Sequence, residues 1–337
     1  MQTSEINPSS SAVEFKKTLI QYKSEIDKFL MASANSSYPA NLYQPIKYFL
    51  ELGGKRLRPL LTLLSCRAVN GNYKKAIPAA SAIELLHNFT LVHDDIMDQD
   101  SLRRGKSTIH TKWNEAVAIL AGDGLIGLAY RALLNTPSET LHRVFHIFTE
   151  GVIKVCEGQA IDKDFEDRDE VSIEEYFDMI EKKTGELIAV STEIGGIIGG
   201  GSEKYIEALK KFGASIGRAF QIQDDMLDLT SSESVLGKDL GSDLAQGKKT
   251  YPIVRLKQSA PQDKWDFVQK VLRSRRVDIM TLNEVRKIMR EYSVISDADN
   301  QIKCDIELAR NYLLELSNGE WAEDLLEFSM LIMNRKN

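Results

Sequence analysis

Apolar residues recur every three or four positions along most of this chain. Phe15, Leu19, Ile20, Tyr22, Ile26 and Leu30 form one such stripe, the period of a helix with a buried face. The same spacing predicts helices over 77–98, 114–134, 137–159, 173–198 and 203–229. Shorter helices between polar turns follow, ending with one over 321–333. Pro78 suits the first turn of its helix. No proline falls between Pro137 and Pro252, a run of 114 residues that favours long helices. Period-two alternation is hard to find, and Val/Ile/Thr runs bounded by turns are missing, so no sheet is expected. There is no repeat of fixed period and no low-complexity block. Residues 1–11 are polar, with Pro8 and a serine triplet, and read as a flexible tail. Residues 12–337 read as one all-α domain around a helix bundle.

Hydrophobic residues make up 43% of the 337, enough for a sizeable core. The 43 basic and 49 acidic residues leave a net charge of −6, so no basic field exists for nucleic acid. An anion must then be held by a local cluster of cations. Cys66, Cys156 and Cys304 are too far apart for a CxxC pattern and fit a reducing, cytoplasmic setting. Lys16, Lys17 and Lys23 interrupt the N-terminal apolar residues, so no secretory signal is expected. The longest apolar run, 116–130, is broken by Asp123 and falls short of the ~20 residues that a membrane span needs.

Two acidic strings carry the chemistry. In His93-Asp94-Asp95-Ile96-Met97-Asp98, Asp94 and Asp98 are one helical turn apart and share a face. Gln223-Asp224-Asp225-Met226-Leu227-Asp228 repeats the spacing with Asp224 and Asp228. Each string lies near the C-terminal end of an apolar helix, where the helix dipole disfavours carboxylates. Two such placements suggest a shared cation site between two helices. Oxygen-only ligands point to Mg²⁺ or Mn²⁺, and Mg²⁺ is often completed by water and substrate phosphates.

Basic loops accompany the acids. Gly53-Gly54-Lys55-Arg56-Leu57-Arg58-Pro59 places three cations in four positions after a glycine turn. Ser101-Leu102-Arg103-Arg104-Gly105-Lys106 follows the first acidic string. Gly237-Lys238-Asp239 and Gly247-Lys248-Lys249-Thr250 follow the second. Arginine offers a planar fork for phosphate oxygens, and lysine a mobile point charge. Metal site and basic loops together suit a diphosphate.

With these motifs in order, the sequence resembles the trans-isoprenyl diphosphate synthases, the polyprenyl synthetase family of farnesyl and geranylgeranyl diphosphate synthases. The match runs from about Gly53 to Pro252 and includes GGKRLRP, DDIMD, LRRGKSTIH, KTGEL, FQIQDDMLD and GKDLGSDLAQGKKTYP. The resemblance implies an all-α isoprenoid-synthase fold around a deep cavity and, usually, a homodimer. It implies a head-to-tail condensation of isopentenyl diphosphate with an allylic diphosphate, dependent on two or three Mg²⁺ ions, for which Mn²⁺ can substitute. It assigns Asp94, Asp98 and Asp224 to the metal, with Asp95, Asp225 and Asp228 supporting them or binding through water. Arg103, Lys183, Thr184, Gln221, Lys238 and Lys248 resemble the allylic diphosphate side. Lys55, Arg58, His87 and Arg104 resemble the isopentenyl diphosphate site. Gly185, after Lys183-Thr184, would let a helix bend and turn a carbonyl inward, with close packing as the other reading.

Product length would be set along the helix that carries Asp94. Thr90, Phe89, Leu86 and Ile83 lie roughly 6 to 16 Å from it toward the N-terminus, at about 1.5 Å per residue. The family resemblance picks Phe89 as floor, because the fifth residue before the first aspartate commonly fills that role. An aromatic there, the small Thr90 beside it and no insertion within Asp94–Asp98 favour a C20 product, with C15 as runner-up. Three other readings compete. A di-iron bundle would use Glu84/His87 and Glu139/His142 but leaves the basic loops unexplained. A class I terpene cyclase needs only one diphosphate pocket. A non-catalytic partner subunit would not need both acidic strings intact.

Overall fold

The computed structural model describes residues 10–230, 241–274, 276–314, 316 and 320–333. Its first helices are α1 (Ser10–Ser33), α2 (Ala40–Glu51), α3 (Leu57–Ala68) and α4 (Ile77–Met97). After a two-strand hairpin, β1 (Leu102–Arg103) and β2 (Lys106–Ser107), come α5 (Ile109–Lys112), α6 (Glu115–Leu133) and α7 (Ser138–Asp167). Then α8 (Ile173–Ile180), a π-helical turn (Glu181–Gly185) and α9 (Glu186–Ile198) run on without a break. The long α10 (Glu203–Thr230) follows. The remainder is α11 (Ser242–Gln246), α12 (Tyr251–Ser259), α13 (Gln262–Ser274), α14 (Ile279–Glu291), α15 (Val294–Leu314) and α16 (Glu320–Met333). The fold is all-α.

Local chemistry sets the ends. Asn114 caps α6 by accepting from the Val117 N–H at 2.9 Å, and Ser172 and Glu175 form a reciprocal capping box on α8. Pro78 and Pro252 sit in first turns, where a missing N–H is harmless. Helix α1 starts at Ser10, two residues inside the expected tail.

Burial explains the layering. Ile83, Leu85 and Leu86 of α4 are all buried, as are Ala79, Ala80, Ala82 and Val92, so α4 is apolar nearly all round and runs through the core. It packs on α6 and α3, while α9 lies between α3, α7 and α10. A second cluster, Leu229, Leu244, Ile253, Trp265, Val268 and Leu282 among others, holds α11–α14 against the end of α10.

Four expectations need correction. The hairpin is a short antiparallel ladder where no sheet is expected, pairing Leu102 with Ser107 and Arg103 with Lys106. Two-residue strands are too short to show alternation. Helix α7 runs eight residues past the expected end at 159. The helix expected over 173–198 is continuous but widens into a π-turn over Glu181–Gly185. Finally, α6 is long and apolar enough, by length and composition, to cross a membrane. In the fold it packs along α4 and buries Ala118, Ala121, Leu125, Ala129 and Leu133, with Asp123 exposed.

The π-turn fits because glycines flank it. A Cβ at Gly158 on α7 would collide with the Lys183 backbone nitrogen, and one at Gly217 on α10 would lie 2.6 Å from Gly185 Cα. Gly158→Ala should therefore lower stability by roughly 1–3 kcal/mol through overpacking. Calorimetry would read this as a reduced Tm, and an unchanged Tm would contradict the close approach.

Candidate active site

A cavity of about 880 Å³ opens beside the C-terminal half of α4. Phe89, Thr90, His93 and Asp94 of α4 form one wall, Phe220, Gln221 and Asp224 of α10 another. Val155, Cys156, Gln159 and Lys163 of α7, with Lys183, Thr184 and Leu187, complete that half. The other half is basic: Lys55, Arg56 and Arg58 of the loop before and into α3, His87 of α4, and Arg103 and Arg104 of the hairpin.

The acids divide by direction. No hydrogen bond to the Asp94 carboxylate is found among the described residues; burial pushes it above its ordinary range, against Lys183. Asp98 caps α4 and accepts from Lys163 at 2.7 Å and Lys248 at 2.9 Å. Burial would raise Asp98 too, but Lys248 and Lys163 overcome it and hold its carboxyl at about 2. Lys248 also lies 3.8 Å from Asp243, so one ammonium joins the first acidic string to the segment after the second. Burial weakens the charged form of Lys248, yet Asp243 and Asp98 raise its pKa overall.

Asp95 and Asp225, expected to support the metal ligands or bind through water, are engaged by protein donors. Each follows its partner by one residue, a rotation of about 100° away from the cavity face. Asp95, buried, takes Arg103 Nε at 2.7 Å and Nη2 at 2.6 Å. Asp225 accepts from Tyr176 Oη at 2.7 Å, the Tyr251 N–H at 2.8 Å and Gln221 Nε2 at 2.7 Å. Burial, then Asp243, pushes the Asp225 carboxyl up to about 7. Asp228 is buried and takes the Asp243 N–H on Oδ2 at 3.3 Å.

Lys183 donates to Asp162 at 2.5 Å. Burial lowers its pKa, but Asp162 and Asp94 raise it overall. Thr184 Oγ1 donates to Gln221 Oε1 at 2.7 Å, joining the π-turn to α10. Arg58 Nη1 lies 3.1 Å from His87 Nε2. Burial, then Arg58 and Arg104, keeps His87 well below its ordinary pKa, so the imidazole is neutral and accepts. Arg104 holds a left-handed φ of 52° and donates to the Gly53 carbonyl.

Of the sequence-derived site, the cavity gathers Lys55, Arg58, His87, Phe89, Thr90, Asp94, Arg103, Arg104, Lys183, Thr184, Gln221 and Asp224. Asp98 and Lys248 join it through Lys163. Leu86 and Ile83, expected along the chain-length wall, are at most 1% exposed in the core. Lys238 lies outside the described residues. Asp162 and Lys163 were missed, and the contacts made by Arg56, Glu84 and Asp243 were not foreseen. Asp162 could have been found, because it breaks the apolar heptad of Val144, Phe148, Gly151 and Val155 with a carboxylate.

The donors suit a hard cation. Among the described residues no three carboxylates or imidazoles form a closed cage. Asp94 and Asp224 instead face one cavity from two walls, leaving positions for water and phosphate oxygens as Mg²⁺ prefers. The di-iron reading fails on partners: Glu84 binds Arg56, His87 meets Arg58, and Glu139 is mostly exposed.

Comparison with known proteins agrees with this geometry. Residues 39–289 match the family model described as polyprenyl synthetase. The chain is 38% identical to a short chain isoprenyl diphosphate synthase of Methanothermobacter thermautotrophicus, over 96% of this chain and all of that one. A geranylgeranyl pyrophosphate synthetase from Pyrococcus horikoshii superposes with a TM-score of 0.89 at 37% identity, covering 97% of this chain and 100% of that one. A polyprenyl synthase from Caulobacter crescentus, complexed with calcium and isoprenyl diphosphate, gives 0.89 at 25% identity, covering 98% and 100%.

The neutral His87 makes a pH prediction. The unfolded chain takes up a proton near pH 6.5 that the folded chain refuses. The histidine's contribution is thus full above about pH 6.5 and falls as pH drops below it. Relative to His87→Gln, wild type should lose stability between about pH 7.5 and 5.5 in urea titrations. Parallel pH profiles for the two proteins would contradict a neutral His87.

Proposed function

The chain belongs to the polyprenyl synthetase family, and from that membership we propose how its own residues carry out the reaction. It is a prenyltransferase that condenses isopentenyl diphosphate with an allylic diphosphate into a short-chain trans-prenyl diphosphate. The observation that carries the residue assignment is one cavity with carboxylates from two helices at one end and a separate basic cluster at the other.

We assign the allylic diphosphate to Arg103, Lys183 and Lys248, with Lys238 completing the set. Isopentenyl diphosphate goes to Lys55, Arg58, His87 and Arg104. Mg²⁺, for which Mn²⁺ can substitute, would be held by Asp94, Asp98 and Asp224 and would supply Lewis-acid charge to the leaving diphosphate. Asp95 orients Arg103, and Asp162 orients Lys183. The allylic C–O bond breaks, the C4 alkene carbon of isopentenyl diphosphate bonds to the allylic carbon, and a C2 proton passes to the released diphosphate. Thr184 and Gln221 place oxygen atoms beside the allylic cation, while Phe89, Leu91, Val155, Leu187 and Phe220 keep water out.

We infer a C20 product, with C15 the shorter alternative. Phe89 lines the cavity and packs on His93 at 4.7 Å between ring centroids, which supports it as a floor. We read the enzyme as a homodimer: adjacent α6 and α7 expose Ile119, Leu120, Phe145 and Ile153, an apolar face that a second copy would cover. Three free thiols fit a cytoplasmic location.

Asp94→Ala should cut kcat by orders of magnitude in a protein that still folds, with folding checked by circular dichroism. Near-wild-type turnover would refute the metal assignment. Phe89→Ala removes an aromatic ring's volume, so products should lengthen by one or more C5 units in chromatography of the dephosphorylated alcohols. An unchanged product distribution from the active variant would remove Phe89 as floor.

A further inference from the structure

Arg56 stands in the middle of a basic string, yet its guanidinium is taken up by protein acceptors. Nε donates to Asp27 of α1 at 2.8 Å, Nη1 to Glu84 of α4 at 2.8 Å, and Nη2 to the Leu50 carbonyl of α2 at 3.2 Å. All three nitrogens therefore serve protein acceptors from three different helices. The residue is 4% exposed and Glu84 3%, so this is a buried pair. Isolated buried charge is strongly disfavoured, which fixes the partners to each other.

The backbone is constrained at the same place. Arg56 has a left-handed φ of 54°, unusual for a side-chain-bearing residue, and Gly53 and Gly54 also have positive φ. Such strain persists only where surrounding structure over-determines it. A Cβ on Gly54 would come 3.1 Å from both terminal nitrogens of Arg104, so the Arg104 guanidinium lies directly on the loop. Arg104 also donates to the Gly53 carbonyl. Loop and hairpin tip thus form one unit. Glu84 and His87, one turn apart on α4, each meet one arginine of that loop, Arg56 and Arg58 respectively.

We propose that Arg56 is a positioning residue, and that its clamp to Asp27 and Glu84 sets the spacing of Lys55, Arg58 and Arg104 for isopentenyl diphosphate. The N-terminal helix, through Asp27, is then part of that binding site although it precedes the residues matched by the family model. This inference rests on the assignment of Lys55, Arg58 and Arg104 to isopentenyl diphosphate. Arg56 itself touches no substrate. Losing one partner leaves the loop geometry free to drift and the remaining charge buried.

The test is steady-state kinetics of the full-length enzyme with each substrate varied in turn, alongside Tm. Glu84→Gln should raise KM for isopentenyl diphosphate roughly tenfold or more, since hydrogen bonds to charged groups are the strong ones. KM for the allylic substrate should stay within about twofold in both variants. Asp27→Asn changes a less buried partner and should give the same bias, on the order of threefold, with little loss of Tm. Equal changes in both KM values, or a drop in Tm with neither KM altered, would reduce the clamp to a fold element and overturn the proposal. Arg104→Ala separates the two levels of the argument. If it raises KM for isopentenyl diphosphate and the clamp variants do not, the clamp inference alone fails. If Arg104→Ala also leaves that KM unchanged, the substrate assignment fails with it.

Discussion

Carboxylates at the C-terminal ends of two buried helices are the constraint on which this molecule turns. Asp94 and Asp98 end α4, and Asp224 lies in the last two turns of α10, each where helix carbonyls already concentrate negative charge. A fold that gathers such groups must bring cations to them. Lys163 from α7, Lys183 from the π-turn and Lys248 from the segment after α11 meet that need, and each is oriented by an acid of its own: Glu166, Asp162 and Asp243. The charged shell is thus nested, with acids and bases alternating outward from the cavity.

Helix packing serves this arrangement. The π-turn brings Lys183 and Thr184 to the cavity, and it fits because Gly158 and Gly217 let α7 and α10 approach on either side. The second hydrophobic cluster presses α11–α14 onto the end of α10 and so fixes the segment that carries Lys248. On the opposite side, left-handed backbone at Arg56 and Arg104 aims short basic segments that no regular element could present.

The helices and their order were legible because burial imposes a 3.6-residue period; α4 and α10 end within one residue of the expected positions. The end of α7 was not, because beyond Gln159 buried Asp162 breaks the apolar stripe before it resumes at Phe165. The acidic string on α4 places Asp94 at the cavity, while Asp98, one turn on, caps the helix and meets Lys163 and Lys248. The consecutive letters do not show that the helix turns the second carboxylate of each string onto a protein donor, Asp95 onto Arg103 and Asp225 onto Tyr176. Arg56 shows the same limit from the basic side. Composition cannot distinguish a cation offered to substrate from one held by Asp27 and Glu84. Of the residues placed along the chain-length wall, Phe89 and Thr90 line the cavity, and Leu86 and Ile83 lie in the core around α4.

The central claim, that this cavity elongates an allylic diphosphate and stops at C20, is tested most directly by product analysis. Purified enzyme is incubated with radiolabelled isopentenyl diphosphate, Mg²⁺ and each allylic primer in turn, and the products are dephosphorylated and sized. The account predicts label in an all-trans C20 alcohol as the main product. No incorporation with any primer, or a main product longer than C20, would contradict it.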